Sequence, residues 1–140
     1  MNTLKEALQS MKAPTLTEEQ QEALREGARK GRIQGVLMTA AAGSGHPAGS
    51  LSSMELYLLV YGAARIDPQN PDDPDRDRVV VSHGHTSPGA YAALAFWGFV
   101  SEQDLVPHFR QAGSPFQGHV ERDVPGIDWG TGNLGQGLAA

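Results

Sequence analysis

The segment "RVVVS", residues 78–82, is the one stretch of this 140-residue chain with the pattern of a buried β-strand. It is short, continuous and β-branched, as strands of a parallel sheet are when helices cover both of their faces. Helical patterns lie on both sides of it, and helices around a parallel strand predict an α/β fold. Since one strand cannot form a sheet, we expect an incomplete parallel-sheet domain with a helix-rich first part.

Capping signals and apolar spacing predict where the first helices lie. Thr17 and Gln20 form a capping box, in which side chains satisfy free amides at a helix start. Apolar residues then recur every three or four positions, which predicts a long helix that ends at Gly43. A second capping box, Ser52 with Glu55, predicts a buried helix with the sequence "MELYLLVYGAA".

The remainder of the chain alternates between helical and irregular patterns. The stretch "GSGHPAGS", residues 43–50, is predicted to be irregular because glycine and proline interrupt it. Two further helices are predicted near residues 87–98 and 101–112. Irregular structure is expected to dominate from Gly113 onwards.

Composition excludes several classes of function. The net charge is −5 and all three lysines lie in the first thirty positions, so no basic stripe exists for nucleic acid. Cysteine is absent, which excludes disulfides and thiolate metal ligands. The amino terminus lacks the apolar core of a secretion signal, and the longest apolar run is about half a membrane span. We expect a cytoplasmic protein that binds neither nucleic acid nor membrane.

The carboxyl-terminal stretch "GIDWGTGNLGQGLAA" has the composition of a loop folded around a ligand. Gly130, Gly132 and Gly135 fit the spacing of the dinucleotide fingerprint, in which bare backbone approaches a diphosphate. That fingerprint also needs a strong strand before it and an acidic residue about twenty positions after it. Neither is present, so a nicotinamide or flavin is disfavoured, while a ligand-free turn and another diphosphate ligand both remain open.

Histidines mark the other candidate loops. His108 is expected to be an ordinary helix residue, whereas the other four histidines lie in loops rich in glycine or proline: His46, His83, His85 and His119. Two of them follow the candidate strand, where α/β sheets place their ligands. Histidine exchanges protons near neutral pH and hydrogen-bonds phosphates and sugar hydroxyls. We therefore predict that these loops form one site, and zinc is disfavoured for want of cysteine ligands.

Four segments in order resemble the amino-terminal, diphosphate-binding domain of transketolases. Their order and spacing match across roughly residues 20–140, which makes the resemblance specific. The segments are "SGHPAGSLS" (44–52), "DRVVVSHGHTSPGAYAAL" (77–94), "GSPFQGHVERDVPGID" (113–128) and "TGNLGQGLA" (131–139).

The resemblance implies a thiamine diphosphate enzyme that moves a two-carbon ketol unit from a ketose to an aldose, both sugar phosphates. His46 and His119 would be catalytic, facing the reactive carbon and the donor sugar. His85 would contact the cofactor diphosphate, and the role of His83 is left open. Gly132 and Leu134 would line the diphosphate and aminopyrimidine. The cofactor-binding candidates are thus His85, Gly132 and Leu134, with His83 as a further candidate.

Some positions depart from the family pattern. Asn133 stands where the family has Pro or Ser, and Val120 rather than Pro follows His119. Residues 83–110 also look like the decarboxylase component of homodimer-type pyruvate dehydrogenase complexes. That 2-oxo acid decarboxylase is the alternative within the class.

The family's metal site is the largest departure. Transketolases hold Mg²⁺ with a Gly-Asp-Gly motif and a later Asn, and neither lies in these 140 residues. We therefore expect residues 1–16 to be a lead-in, and 17–140 the first part of a thiamine diphosphate-binding domain without its metal-binding part. The chain would be a split subunit or a truncated form.

Such a chain would be inactive until partner chains supply the metal site and the pyrimidine-binding domain, which makes a hetero-oligomer. The partner surface is expected on the apolar helix at 53–63 and on the cluster Phe96–Phe99. The alternative outside catalysis is a scaffold relic that keeps the fold and binds no cofactor.

Overall fold

The computed structural model describes residues 2–10 and 16–139. Within them lie six helices, joined by irregular segments. They are α1 (Asn2–Ser10), α2 (Glu18–Ala41), α3 (Pro47–Ser52), α4 (Met54–Ala63), α5 (Ser87–Trp97) and α6 (Glu102–His108). None of these helices is both long enough and apolar enough to cross a membrane. The helix-rich part of the expected architecture is therefore present.

The predicted strand at 78–82 is wrong for the described part of the chain. The segment is extended, but it carries no ladder, because the described residues provide no neighbouring strand to pair with it. Its polar groups bond elsewhere: the Val79 N–H donates to the Asp128 carboxylate at 2.8 Å, and the Ser82 carbonyl accepts from Gly135 N at 2.7 Å. Val81 is buried, so the segment still contributes to the core.

The bounds of α2 follow local chemistry, as predicted. Thr17 Oγ1 accepts from the Gln20 N–H at 3.2 Å, and the Gln20 side chain accepts from the Thr17 N–H at 2.9 Å. At the other end Gly43 has φ +59°, and its N–H donates to the carbonyl of Ala40. A left-handed glycine after the last turn satisfies carbonyls that the helix leaves open.

Two predictions about the next segment are wrong. Residues 47–52 form α3 rather than a loop, because a proline at the first helical position has no N–H to lose and its φ already suits a helix. The second capping box does not form, since Ser52 is the last residue of α3. Its hydroxyl donates to the Gly49 carbonyl at 3.1 Å, and Ser53 precedes α4 without a side-chain cap.

The later helices lie within a few residues of the predicted ranges. α5 ends at Gly98, whose φ of +86° terminates the helix. α6 is shorter than the range 101–112 and ends at His108, because Phe109 turns extended and Arg110 adopts φ +57°. α1 packs on α4, with Leu4 buried in the core.

Helix α5 lies at the centre of the core. Residues 87–94 are all buried, and α5 contacts α2, α3, α4 and α6. The cluster at Phe96–Phe99 is therefore wrong as a partner surface: Trp97 is 4% exposed and its Nε1 donates to the Leu58 carbonyl at 3.0 Å. Phe99 is buried as well.

Helix α4 is buried on one face only, contrary to the prediction of a wholly buried helix. Tyr57, Leu58 and Tyr61 face the core. The opposite face carries the exposed side chains Leu56, Leu59 and Val60, of which Leu56 is 58% exposed.

An ion pair ties the segment before α5 to the carboxyl-terminal part. The Arg76 guanidinium binds the Asp128 carboxylate through two nitrogens, at 2.6 and 3.0 Å, with the side chains 8% and 12% exposed. Asp128 is also the acceptor for Val79. Since breaking a buried pair leaves an uncompensated charge, this contact holds residues 76–79 against 128.

Small residues bring the starts of α3 and α5 together. A Cβ on Gly49 would lie 2.7 Å from Thr86 Cγ2, and one on Gly89 would lie 3.1 Å from Ser50 Cα. Thr86 is buried and β-branched, so it has little freedom to move aside. The two helices therefore approach at a distance that only glycine permits.

This contact predicts opposite effects for two glycines in helices. Gly49→Ala should destabilise the protein by about 1–3 kcal/mol, because the added methyl overpacks the contact with Thr86. Gly35→Ala is the matched control: its Cβ would meet only Pro88 and Ser50, at 3.8 and 3.9 Å, so it should stabilise α2 by about 0.5–1 kcal/mol. Urea unfolding of both variants measures this, and equal effects would contradict it.

Candidate functional site

Three of the four loop histidines meet where α3 and α5 begin. His46 is the residue before α3, His85 lies two residues before α5, and His119 comes from the loop after α6. The ring centroids of His46 and His85 are 4.4 Å apart, and those of His85 and His119 are also 4.4 Å apart. We call these three residues the histidine cluster. Three separate loops thus converge on one site.

His85, at the centre of the cluster, has a strained backbone. Its φ is +61°, in the left-handed region that residues other than glycine rarely adopt. Such strain costs of order 1–3 kcal/mol and persists only where the surroundings enforce it. Gly84 beside it is approached closely, because a Cβ there would lie 2.8 Å from Leu134 Cδ2 and 3.1 Å from His119 Cε1.

Neighbouring groups favour the neutral form of His85. The pKa of His85 lies below its ordinary value, first because nearby atoms displace water from the ring. Repulsion from His119, His46 and Arg110 lowers it further. A neutral imidazole has one donor and one acceptor nitrogen, so it can accept a proton or donate a hydrogen bond.

A threonine holds His119 in place. Thr131 Oγ1 accepts from the Val120 N–H at 3.2 Å and lies 3.1 Å from His119 Nδ1. The Thr131 N–H in turn donates to the Val120 carbonyl at 3.1 Å. Because Nδ1 lies within hydrogen-bond distance of the Thr131 hydroxyl, Nε2 of His119 is left for a ligand.

His83 lies in a different network. Its Nε2 is 3.2 Å from the Tyr57 hydroxyl, and the two rings stack at 5.9 Å between centroids. The same hydroxyl is 2.5 Å from Thr86 Oγ1, at the start of α5. The structure therefore places His83 against α4 rather than in the histidine cluster, and its cofactor-binding role stays a prediction.

The glycine-rich segment, residues 130–137, borders the cluster. Gly132 and Gly135 have φ of +141° and +76°, conformations that favour glycine. The Gly137 N–H donates to Ser82 Oγ at 2.8 Å, which fixes the segment to the end of the extended stretch. Leu134 reaches back towards Gly84, with its side chain 65% exposed. Both predicted residues, Gly132 and Leu134, thus belong to the segment beside His85 and His119.

Sequence reasoning missed some of the residues that support the site. Thr131 begins the segment 131–139, which carries part of the family resemblance, so the sequence did contain a signal for it. Tyr57 carried none, because only tertiary packing brings an apolar helix against His83. Arg110 carried no signal either, because only tertiary structure brings it beside the loop of His119. In the structure it lines an open cleft of about 600 Å³ together with Ser44, Gln117, Gly118, His119 and Glu121.

No set of three or more His, Asp or Glu within residues 2–10 and 16–139 is arranged to hold a metal ion. The histidine cluster offers hydrogen bonding and proton exchange from imidazoles, beside a glycine-rich segment. That combination is typical of an enzyme domain that binds a phosphorylated ligand or cofactor.

Comparison with known proteins gives the family. A family model described as "Transketolase, thiamine diphosphate binding domain" matches residues 25–140. Human transketolase is 39% identical over 120 residues. The crystal structure of transketolase from Pichia stipitis in complex with sedoheptulose 7-phosphate superposes with a TM-score of 0.73 at 36% identity, over 83% of this chain. The chain belongs to the transketolase family and corresponds to its amino-terminal segment.

The match covers a small share of these relatives. It spans 85% of this chain and 19% of human transketolase, and 17% of the Pichia stipitis chain. A shorter relative is the 6-deoxy-6-sulfo-D-fructose transketolase subunit SqwG of a Clostridium species. It is 44% identical over 100 residues, which are 70% of this chain and 36% of that subunit.

The cluster predicts how His85 titrates. The His119→Gln variant should raise the pKa of His85 towards its ordinary value, because a repelling charge is lost. His83→Gln should leave it unchanged, since His83 lies against Tyr57. NMR titration of the histidine ring carbons measures both, and equal shifts in the two variants would contradict the assignment.

The sign of the effect on stability follows from the lowered pKa. Unfolded His85 binds its proton at about pH 6.5, above the pKa of the folded form. The contribution of His85 to stability is therefore complete above that pH and is lost as the pH falls through the lowered value. The His119→Gln variant should lose less stability as the pH falls, because the pKa of its His85 lies closer to the ordinary value.

Proposed function

We propose that this chain is a subunit or segment of a transketolase-like enzyme that transfers a two-carbon ketol unit between sugar phosphates, using thiamine diphosphate. The observation that carries the proposal is the meeting of His46, His85 and His119 beside the glycine-rich segment. These are the residues for which the family resemblance implies contact with cofactor and donor sugar. In this chain they come from loops 34 or more positions apart, and the fold assembles them.

The residues beside the cluster suit a diphosphate. The N–H groups of residues 132–134 donate no hydrogen bond to any described residue, and a Cβ on Gly132 would meet nothing within 4 Å. Open backbone amides in a glycine-rich turn form a concave anion site. We assign Gly132 and Leu134 to the diphosphate and aminopyrimidine, and His85 to the diphosphate. When bound, thiamine diphosphate supplies the electron sink that stabilises the carbanion of ketol transfer.

The chain's own contribution to the reaction is to orient the sugar and move protons. Nε2 of His119, with Nδ1 held by Thr131, can hydrogen-bond a donor hydroxyl. His46 shares the cluster and can exchange a proton at the carbonyl oxygen, since imidazole is matched to neutral pH. The lowered pKa of His85 favours its neutral imidazole, which can donate one hydrogen bond and accept another.

We further propose that partner chains complete the enzyme. The Mg²⁺ ligands and the pyrimidine-binding domain would come from them, which makes the working form a hetero-oligomer that is inactive as this chain alone. Two observations support this: the chain spans 19% of human transketolase, and one relative is itself named as a subunit. The outer face of α4, with Leu56, Leu59 and Val60, is the surface proposed for the partner.

Two alternatives differ in outcome. A pyruvate dehydrogenase-type decarboxylase component would bind the same cofactor but consume a 2-oxo acid instead of a ketose. A scaffold relic would assemble and bind no cofactor. Native mass spectrometry of the protein from its own source distinguishes them first, by showing whether partner chains, thiamine diphosphate and Mg²⁺ are present.

The decisive variant is His85→Ala in the assembled complex. It should weaken thiamine diphosphate binding at least about tenfold, because a lost contact worth about 1.4 kcal/mol has that effect. His108→Ala is the control, since the His108 side chain is exposed and its ring bonds the Asp104 carbonyl on its own helix. Calorimetric titration with the cofactor measures both. An unchanged affinity in His85→Ala would contradict the assignment of His85 to the diphosphate, whereas a wild-type assembly that binds no cofactor would favour the scaffold.

A further inference from the structure

Arg110 connects the loops that carry two histidines of the cluster. Its guanidinium donates to Ser44 Oγ, two residues before His46, and lies against the backbone of Gly118, the residue before His119. The backbone N–H of Arg110 donates to the Phe116 carbonyl at 2.8 Å. One side chain thus touches the segments of both residues proposed to be catalytic.

Two features describe the position of Arg110. The backbone of Arg110 is in the left-handed region at φ +57°, which residues other than glycine adopt uncommonly. At Gly118 a Cβ would lie 2.3 Å from Arg110 Nη2 and 2.6 Å from Nε. The guanidinium therefore occupies the space that any other residue at position 118 would fill.

The Arg110 guanidinium is not paired with a carboxylate of the described residues. Among the described residues the ion pairs do not include it, and its hydrogen bond goes to a neutral hydroxyl. A planar guanidinium loses less freedom for each hydrogen bond than a lysine ammonium, and it stacks on aromatic rings, here with its Cζ 5.9 Å from the centroid of the Phe109 ring. These properties suit a rigid brace between two loops better than a surface charge.

We propose that Arg110 is a positioning residue that sets the separation of His46 and His119 by bracing the Ser44 loop against the Gly118 backbone. The inference rests on the proposed function for the roles of those histidines, whereas the brace itself concerns only their geometry. A displacement of about 1 Å at such groups costs about 100-fold in rate, so loss of the brace should lower ketol transfer by that order in the assembled complex.

The test separates the position of the guanidinium from its charge. Arg110→Gly removes the side chain while glycine adopts φ +57° readily, so the loop keeps its backbone. Gly118→Ala keeps the charge and displaces the guanidinium by its methyl group. Arg122→Gly is the matched control, because Arg122 is an exposed arginine in the same loop region and the charge change is equal.

The readout is the set of histidine ring resonances in NMR spectra of the full chain, which report ring geometry without any activity. Arg110→Gly and Gly118→Ala should both shift the resonances of His46 and His119, and Arg122→Gly should not. Arg110→Lys should restore little, since an ammonium cannot span both loops. Circular dichroism verifies that each variant is folded.

Two outcomes overturn the brace. Unchanged His46 and His119 resonances in folded Arg110→Gly would show that these loops need no support from Arg110. Shifts in Arg110→Gly that are absent from Gly118→Ala and reversed by Arg110→Lys would show that the charge acts and the contact does not. Failure of the proposed function would appear separately, as a wild-type assembly that binds no thiamine diphosphate while these shifts occur.

Discussion

The contact between the starts of α3 and α5 is the constraint on which the rest of the structure depends. Gly49 admits Thr86, and Gly89 admits the backbone of Ser50, so two helices meet where a single methyl group would separate them. His46 directly precedes α3 and His85 lies two residues before α5. The contact between the two helix starts therefore determines how close the rings of His46 and His85 can come. The burial of α5 between its neighbours holds this geometry, because its first eight residues have no exposed face along which to shift.

The irregular parts of the chain are held by specific polar contacts rather than by regular structure. Arg76 and Asp128 join the segment before α5 to the carboxyl-terminal part, and Ser82 binds the glycine-rich segment through both its carbonyl and its hydroxyl. Arg110 ties the loops of His46 and His119. Loops held in this way can carry strained residues such as His85, since the surroundings supply the free energy that the strained backbone costs.

Local sequence signals predicted the helices, whereas interactions between residues distant in the sequence were not predicted. The Thr17 capping box and the Gly43 terminus of α2 lie within four residues of the groups that they satisfy, so the sequence pattern contains the whole interaction. The strand at 78–82 has the right composition, yet a strand exists only with a partner, and none lies beside it in the described residues. Trp97 is a residue type that is common at interfaces. Here its Nε1 donates to the Leu58 carbonyl, and its side chain is buried in the core.

The sequence by itself determined the long helix, the glycine-rich segment, the three loops that carry the four histidines, and the family resemblance, because each is a pattern of neighbouring residues. Tertiary structure alone decided which histidines meet. His83 and His85 are two positions apart, yet one stacks on Tyr57 and the other joins His46 and His119. Which histidine joins the cluster depends on the left-handed turn at His85 and on contacts with residues 26 or more positions away. A local sequence pattern cannot predict such contacts, because their free energies depend on residues outside the pattern.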